Sequence, residues 1–159
     1  MSTRYDGDTV LRMAMELEKV GQEFYEALGS ACDDDRVAKV CFWLGAEELK
    51  HYRTFEAMSR RLPLAPREGK NEELELLTHD LVLRQIIPRP DVVRRVGTRG
   101  HYRDALEMAL RMERDTVRFF GDLRRLMTED ELVLGQIIQE ELIHVDKIAG
   151  LIAMLGTRA

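Results

Sequence analysis

"AEELKH", residues 46–51, and "QEELIH", residues 139–144, place a glutamate three residues before a histidine twice in one chain of 159 residues. One Glu-x-x-His in a helical chain is common. Its repetition decides the reading, because residues three apart on a helix project from neighbouring positions on one face. Glu48 and His51 therefore share a face, as do Glu141 and His144.

The repeat extends outward from these two stretches. Met13-Ala14, Glu18, Phe24-Tyr25 and Leu28 recur as Met108-Ala109, Glu113, Phe119-Phe120 and Leu123, at a constant offset of 95 residues. Glu47-Glu48-Leu49 and His51 recur as Glu140-Glu141-Leu142 and His144, at an offset of 93. The two halves read as copies of one helical hairpin. Each offers a glutamate from its first helix and a Glu-x-x-His from its second. Glu18 follows Ala14 by one turn and precedes Gly21 and Phe24-Tyr25; Glu113 has the matching setting of Ala109, Thr116 and Phe119-Phe120. Both glutamates are expected to point inward, with small residues nearby leaving room at the axis.

Apolar and turn residues place the helices. Val10, Met13, Leu17, Val20, Phe24 and Leu28 form one helical face. The acids of "CDDD" suit the start of a second helix, expected from about Asp34 to Leu62. Residues 101–127 read as a third, and Thr128 with Glu131 forms a capping-box pattern opening a fourth, which ends near Gly156. All four prolines, Pro63, Pro66, Pro88 and Pro90, fall in the middle, so residues 63–100 are a connection, with a shorter helix expected over 71–87. The short links within each half predict antiparallel hairpins, 8–62 and 101–156. The long link predicts one crossover. The expected fold is all-α, a single four-helix bundle of ferritin-like topology.

Four inward carboxylates cannot stay ionised in a core without counter-charge. Two divalent cations supply it, and two neutral imidazoles complete the donor set. Four glutamates with two Glu-x-x-His is the dinuclear carboxylate arrangement of such bundles. Oxygen and imidazole donors suit iron or manganese and also admit zinc. The candidate metal ligands are Glu18, Glu48, His51, Glu113, Glu141 and His144.

"ELEKVGQEFYEAL", residues 16–28, and "RMERDTVRFFGDL", residues 111–123, each followed by a Glu-Glu-x-x-His helix, resemble the rubrerythrin-like branch of the ferritin-like superfamily. The resemblance covers most of the chain and is weakest at 63–100. Matched motif by motif, it puts two iron ions on the same six residues. Bacterioferritin has a similar symmetric set; the Glu-x-x-Gly-x-x-Phe-Tyr form of the first helix and the long connection favour the rubrerythrin-like side. Two departures stand out. The chain carries no rubredoxin domain, so electrons are expected from a separate, rubredoxin-like donor. Rubrerythrin proper has a further glutamate one turn after the third-helix ligand, where this chain has Thr116, which puts peroxidase activity of that grade in question.

The resemblance implies a non-haem di-iron oxidoreductase that reduces hydrogen peroxide or dioxygen, with a homodimer as the expected assembly. The alternative is ferroxidase or iron storage of ferritin type; a third is a structural module that keeps the fold. Tyr25 is the candidate catalytic phenol beside the metals, a task its counterpart Phe120 cannot perform. Glu47 and Glu140 are expected to face solvent, His79 and His101 to lie at the surface, and Trp43 to pack between helices or at a dimer contact. Met13, Met15, Met108 and Met112 read as core filling.

A net charge of −5 argues against nucleic acid as a partner, and the arginine doublets (60–61, 94–95, 124–125) read as solvated faces. Cys32 and Cys41 form no Cys-x-x-Cys pair, which excludes a zinc ribbon and fits a reducing compartment. No apolar leader or span of about 18 apolar residues is present, so a cytoplasmic location without membrane association is expected.

Overall fold

The computed structural model describes residues 7–62, 102–127 and 130–156, with Ile86, Arg89 and Asp91 between them. The helices are α1 (Gly7–Ala31), α2 (Asp35–Arg61), α3 (Tyr102–Leu126) and α4 (Glu131–Gly156). At 25 to 27 residues each, they are about 38 Å long. The expected hairpins are present, with α1 packed along α2 and α3 along α4. The hairpins face each other through α1 against α3 and α2 against α4.

Contacts at the helix ends fix the directions. Ser59 near the end of α2 donates to Asp8 at the start of α1, 3.4 Å away. Arg61 ends α2 with an ion pair to Asp130 at the start of α4, 3.0 Å. Asp33, between α1 and α2, donates its amide to the Tyr102 hydroxyl at the start of α3, 3.1 Å. Each neighbouring pair therefore runs antiparallel. Asp34 caps α2 by accepting from the Arg36 amide at 3.0 Å, and its ion pair with Arg36 holds its carboxyl down at about 2. This is one residue inside the expected start, because Asp34 is the cap and not the first turn. The Thr128 capping contact and the 71–87 helix lie outside the described residues, as do His79 and His101.

The apolar stripes meet along the axis. Leu11, Leu28, Leu44, Phe55, Leu106, Phe120, Leu134 and Ile148 are fully buried, each stabilising the bundle by about 1.5–3 kcal/mol through burial. Met13 and Met112 join this core as expected, with Met15 and Met108 packed against it. Arg60, Arg61, Arg124 and Arg125 lie on exposed faces, each paired with a nearby acid. Cys41 is buried, and burial pushes its thiol up to about 12. Among the described residues no helix is long and apolar enough to cross a membrane.

Candidate metal centre

At mid-bundle the core turns polar. Glu18 of α1, Glu48 and His51 of α2, Glu113 of α3, and Glu141 and His144 of α4 are each at most 4% exposed. All six predicted residues thus lie together. They form two groups whose candidate donor atoms fall within 4.8 Å of one another: Glu18, Glu48, His51 and Glu141, then Glu48, Glu113, Glu141 and His144. Glu48 and Glu141 belong to both.

The atoms are ordered around two points. Glu141 sends Oε1 to within 2.8 Å of His51 Nδ1 and Oε2 to within 2.9 Å of His144 Nδ1. Glu48 divides its oxygens in the same way, Oε2 at 3.6 Å from His51 Nδ1 and Oε1 at 3.6 Å from His144 Nδ1. Glu18 Oε2 lies 3.7 Å from His51 Nδ1, and Glu113 Oε2 lies 3.8 Å from His144 Nδ1. The two imidazoles stack with centroids 5.6 Å apart.

Proximity here is not hydrogen bonding. Glu18 Oε1, both oxygens of Glu141 and both Nδ1 atoms are buried without a hydrogen-bond partner. Buried polar groups are ordinarily satisfied, so six converging side chains, four of them with orphaned donor atoms, need something between them. Cations meet that need, since every orphan is a carboxylate oxygen or an imidazole nitrogen. Glycine contributes space: a Cβ on Gly21 would sit 3.5 Å from Glu48 Cγ.

The electrostatics reflect the crowding of acids. Burial pushes Glu18 well above the usual carboxylate range, and the charges of Glu48 and Glu141 add to it. Glu113 is raised by burial and by the same two neighbours. Burial pushes Glu48 up, but the nearness of Glu18 and of the His144 and His51 imidazoles outweighs it, so Glu48 ends below the usual range. Burial disfavours charge on the imidazoles, yet the carboxylates win and push His51 and His144 above the ordinary histidine range.

Tyr25, fully buried on α1, donates its hydroxyl to Glu113 Oε1 across the bundle. Burial and the Glu113 charge push the phenol well above its usual range, so it is a donor at physiological pH. Phe120, its counterpart in the repeat, packs instead against Phe55 at 5.1 Å. A small cavity lies against Glu18, Glu48 and Glu113, walled by Leu17, Gly21, Met112 and Thr116, with about 10 Å³ open to the centre of a water-sized molecule.

Two expectations change. Glu140 was expected to face solvent, but although its side chain is 52% exposed, its Oε2 reaches His51 Nε2 at 2.8 Å. Position next to Glu141 on α4 carries it over the neighbouring α2, a contact between helices that no single-helix pattern shows. Glu47 is largely covered and pairs with Lys50. Trp43, partly exposed, sets its ring nearly perpendicular to that of His144 with centroids 5.5 Å apart.

No family model matches the sequence, and no curated protein matches it. Among solved structures, the chain resembles a Thermotoga maritima protein described as ferritin-like and diiron-carboxylate, with a TM-score of 0.73 and 18% identity over 96% of this chain and 98% of that one. The fold is therefore ferritin-like, as the crossover topology implied.

Proposed function

We propose that this chain holds a dinuclear iron centre and reduces hydrogen peroxide or dioxygen with electrons from an external, rubredoxin-like donor. One observation carries the reading: two buried Glu/His groups joined through Glu48 and Glu141, with orphaned carboxylate oxygens and imidazole nitrogens turned on two common points. The description of the Thermotoga maritima protein, which has the same fold, points the same way.

In this reading Glu48 and Glu141 would help to hold both metals, since each offers one oxygen beside each histidine. Glu18 with His51 would hold one metal, and Glu113 with His144 the other. The four carboxylates balance two divalent charges, which removes the cost of burying them. An iron pair held by these residues would supply the two electrons that reduction of the oxidant requires, and an external one-electron donor would replace them. The chain does the rest. Tyr25 fixes the orientation of Glu113 and offers a proton donor on that side. Leu17 and Met112 keep the approach to the glutamates dry. The cavity beside Gly21 and Thr116 has room for about one water-sized molecule. Manganese and zinc fit the donor atoms too, and redox turnover separates iron and manganese from zinc.

Anaerobic titration of the metal-free protein with Fe(II) tests the proposal. The expected result is saturation near two irons per chain, then peroxide-dependent oxidation faster than that of free Fe(II). Uptake far beyond two after exposure to air replaces the reading with iron storage. Failure to retain iron overturns it. Sedimentation checks the proposed homodimer, which lacks the closed shell that storage needs.

A further inference from the structure

The ligands repeat between the two halves, but what lies behind them does not. His51 Nε2 meets the Glu140 carboxylate at 2.8 Å. The residue matching Glu140 in the repeat is Glu47, which would stand behind His144 if the halves were alike. Glu47 is engaged by Lys50 instead. His144 Nε2 is buried with no hydrogen-bond partner. Its ring stands nearly perpendicular to that of Trp43, and Lys147 holds its ammonium 5.4 Å from the centroid of that indole. One histidine is backed by an anion, the other by an aromatic ring carrying a cation.

From this asymmetry we propose that the two metal positions are unequal, the one at Glu18 and His51 binding a divalent cation more tightly and filling first. The inference rests on the dinuclear reading above. A carboxylate accepting from the outer nitrogen of a ligating histidine fixes the tautomer and makes the inner nitrogen a better donor. Glu140 does this for His51, leaving Nδ1 free for the metal. His144 must present the same tautomer with its Nε2–H buried and unpaired, which costs free energy in the bound form. The Lys147 ammonium beyond Trp43 adds an unfavourable charge on that side. Losing such an outer partner typically weakens metal binding about 10- to 100-fold, so the two dissociation constants differ by that order. The position at Glu113 and His144 is the one that exchanges its metal. It also carries Tyr25, so the readily emptied half is the half with the phenol.

Calorimetric titration with Co(II) under argon, on the full chain, measures both affinities without any turnover. The wild type is expected to show two classes of one metal each. Glu140→Gln should weaken the tight class about tenfold and leave the weak class in place. Glu47→Gln, at the matching position, should leave both unchanged. His144→Ala should keep one tight site, and His51→Ala only a weak one. Glu140 is half exposed, so its substitution leaves the core intact. Two equal sites in the wild type, or equal effects of Glu140→Gln and Glu47→Gln, would overturn the inference while leaving the dinuclear centre standing. A wild type that binds fewer than two metals sinks the dinuclear reading itself, and the inference with it.

Discussion

Tyr25 and Glu113 are 88 residues apart in sequence and joined by a hydrogen bond in the core, the phenol donating to a carboxylate oxygen. The bond ties α1 to α3 directly across the face where the two hairpins meet. It is also one-sided, because Phe120 replaces the phenol in the other half. Tyr25→Phe removes the donor without changing the packing volume. The metal-free protein is expected to lose about 1 kcal/mol of stability, measured by urea unfolding. The loaded protein should still bind two metals yet oxidise Fe(II) with peroxide about a hundredfold more slowly, the low end of a lost proton donor. Wild-type rates in this variant would reduce Tyr25 to a packing residue.

Stability of the metal-free protein should fall as pH rises. Glu18 and Glu113 have folded pKa values above the unfolded 4.5, so their stabilising effect is present below that pH and is lost on the way up through the folded values. His51 and His144 are raised above 6.5, so their contribution is complete below 6.5 and fades toward higher pH, for His144 toward about 12. Glu48 has the opposite sign, with a lowered value whose benefit is lost only in strong acid. Between pH 5 and 9 the first four groups act together. Metal binding displaces protons, so the loaded protein should gain in melting temperature over that range relative to the metal-free one. Calorimetric melting of both forms at several pH values checks the crossing slopes.

A carboxylate that serves a metal burdens the protein without one. Glu18 is almost fully buried, with Oε1 unpartnered and its ionisation opposed by Glu48 and Glu141. Glu18→Gln keeps the shape and removes the charge. Metal stoichiometry is expected to fall from two toward one per chain, while the metal-free variant melts at or above the wild-type temperature. Lost binding together with a clearly lower melting temperature would mean that Glu18 is structural.

The six clustered residues were legible because they combine two local signals. Glu-x-x-His is read within one helix, and the internal repeat aligns Glu18 with Glu113. The bundle followed from the prolines, which confine the break to one segment. What could not be read was contact between helices. Glu140 has the sequence context of an exposed residue, and much of it is exposed, yet its carboxylate end touches His51. Trp43 lies eight residues before His51 on the same helix, but its ring meets His144 on α4. The split of Glu48 and Glu141 between two imidazoles is likewise a matter of how four helices are spaced, which periodicity along one helix does not encode.

Gly21 sets stability against access. It sits inside α1, where glycine costs about 1 kcal/mol relative to alanine, and it walls the cavity against Glu18, Glu48 and Glu113. An added Cβ would meet Glu48 Cγ at 3.5 Å and its carboxyl carbon at 3.6 Å, ordinary contacts that need no shift of the backbone. Gly21→Ala should therefore fold and be more stable by up to about 1 kcal/mol. The same methyl takes up the little space the cavity has and restrains the Glu48 side chain. If oxidant approaches the metals here, stopped-flow oxidation of the Fe(II)-loaded variant by peroxide will be slower than wild type, with two irons still bound. Thr116→Val is the companion: it keeps the volume, removes the hydroxyl and should leave the rate nearly unchanged. Slowing in Gly21→Ala but not in Thr116→Val marks a steric route. Equal rates in all three proteins would place the approach on another face of the bundle.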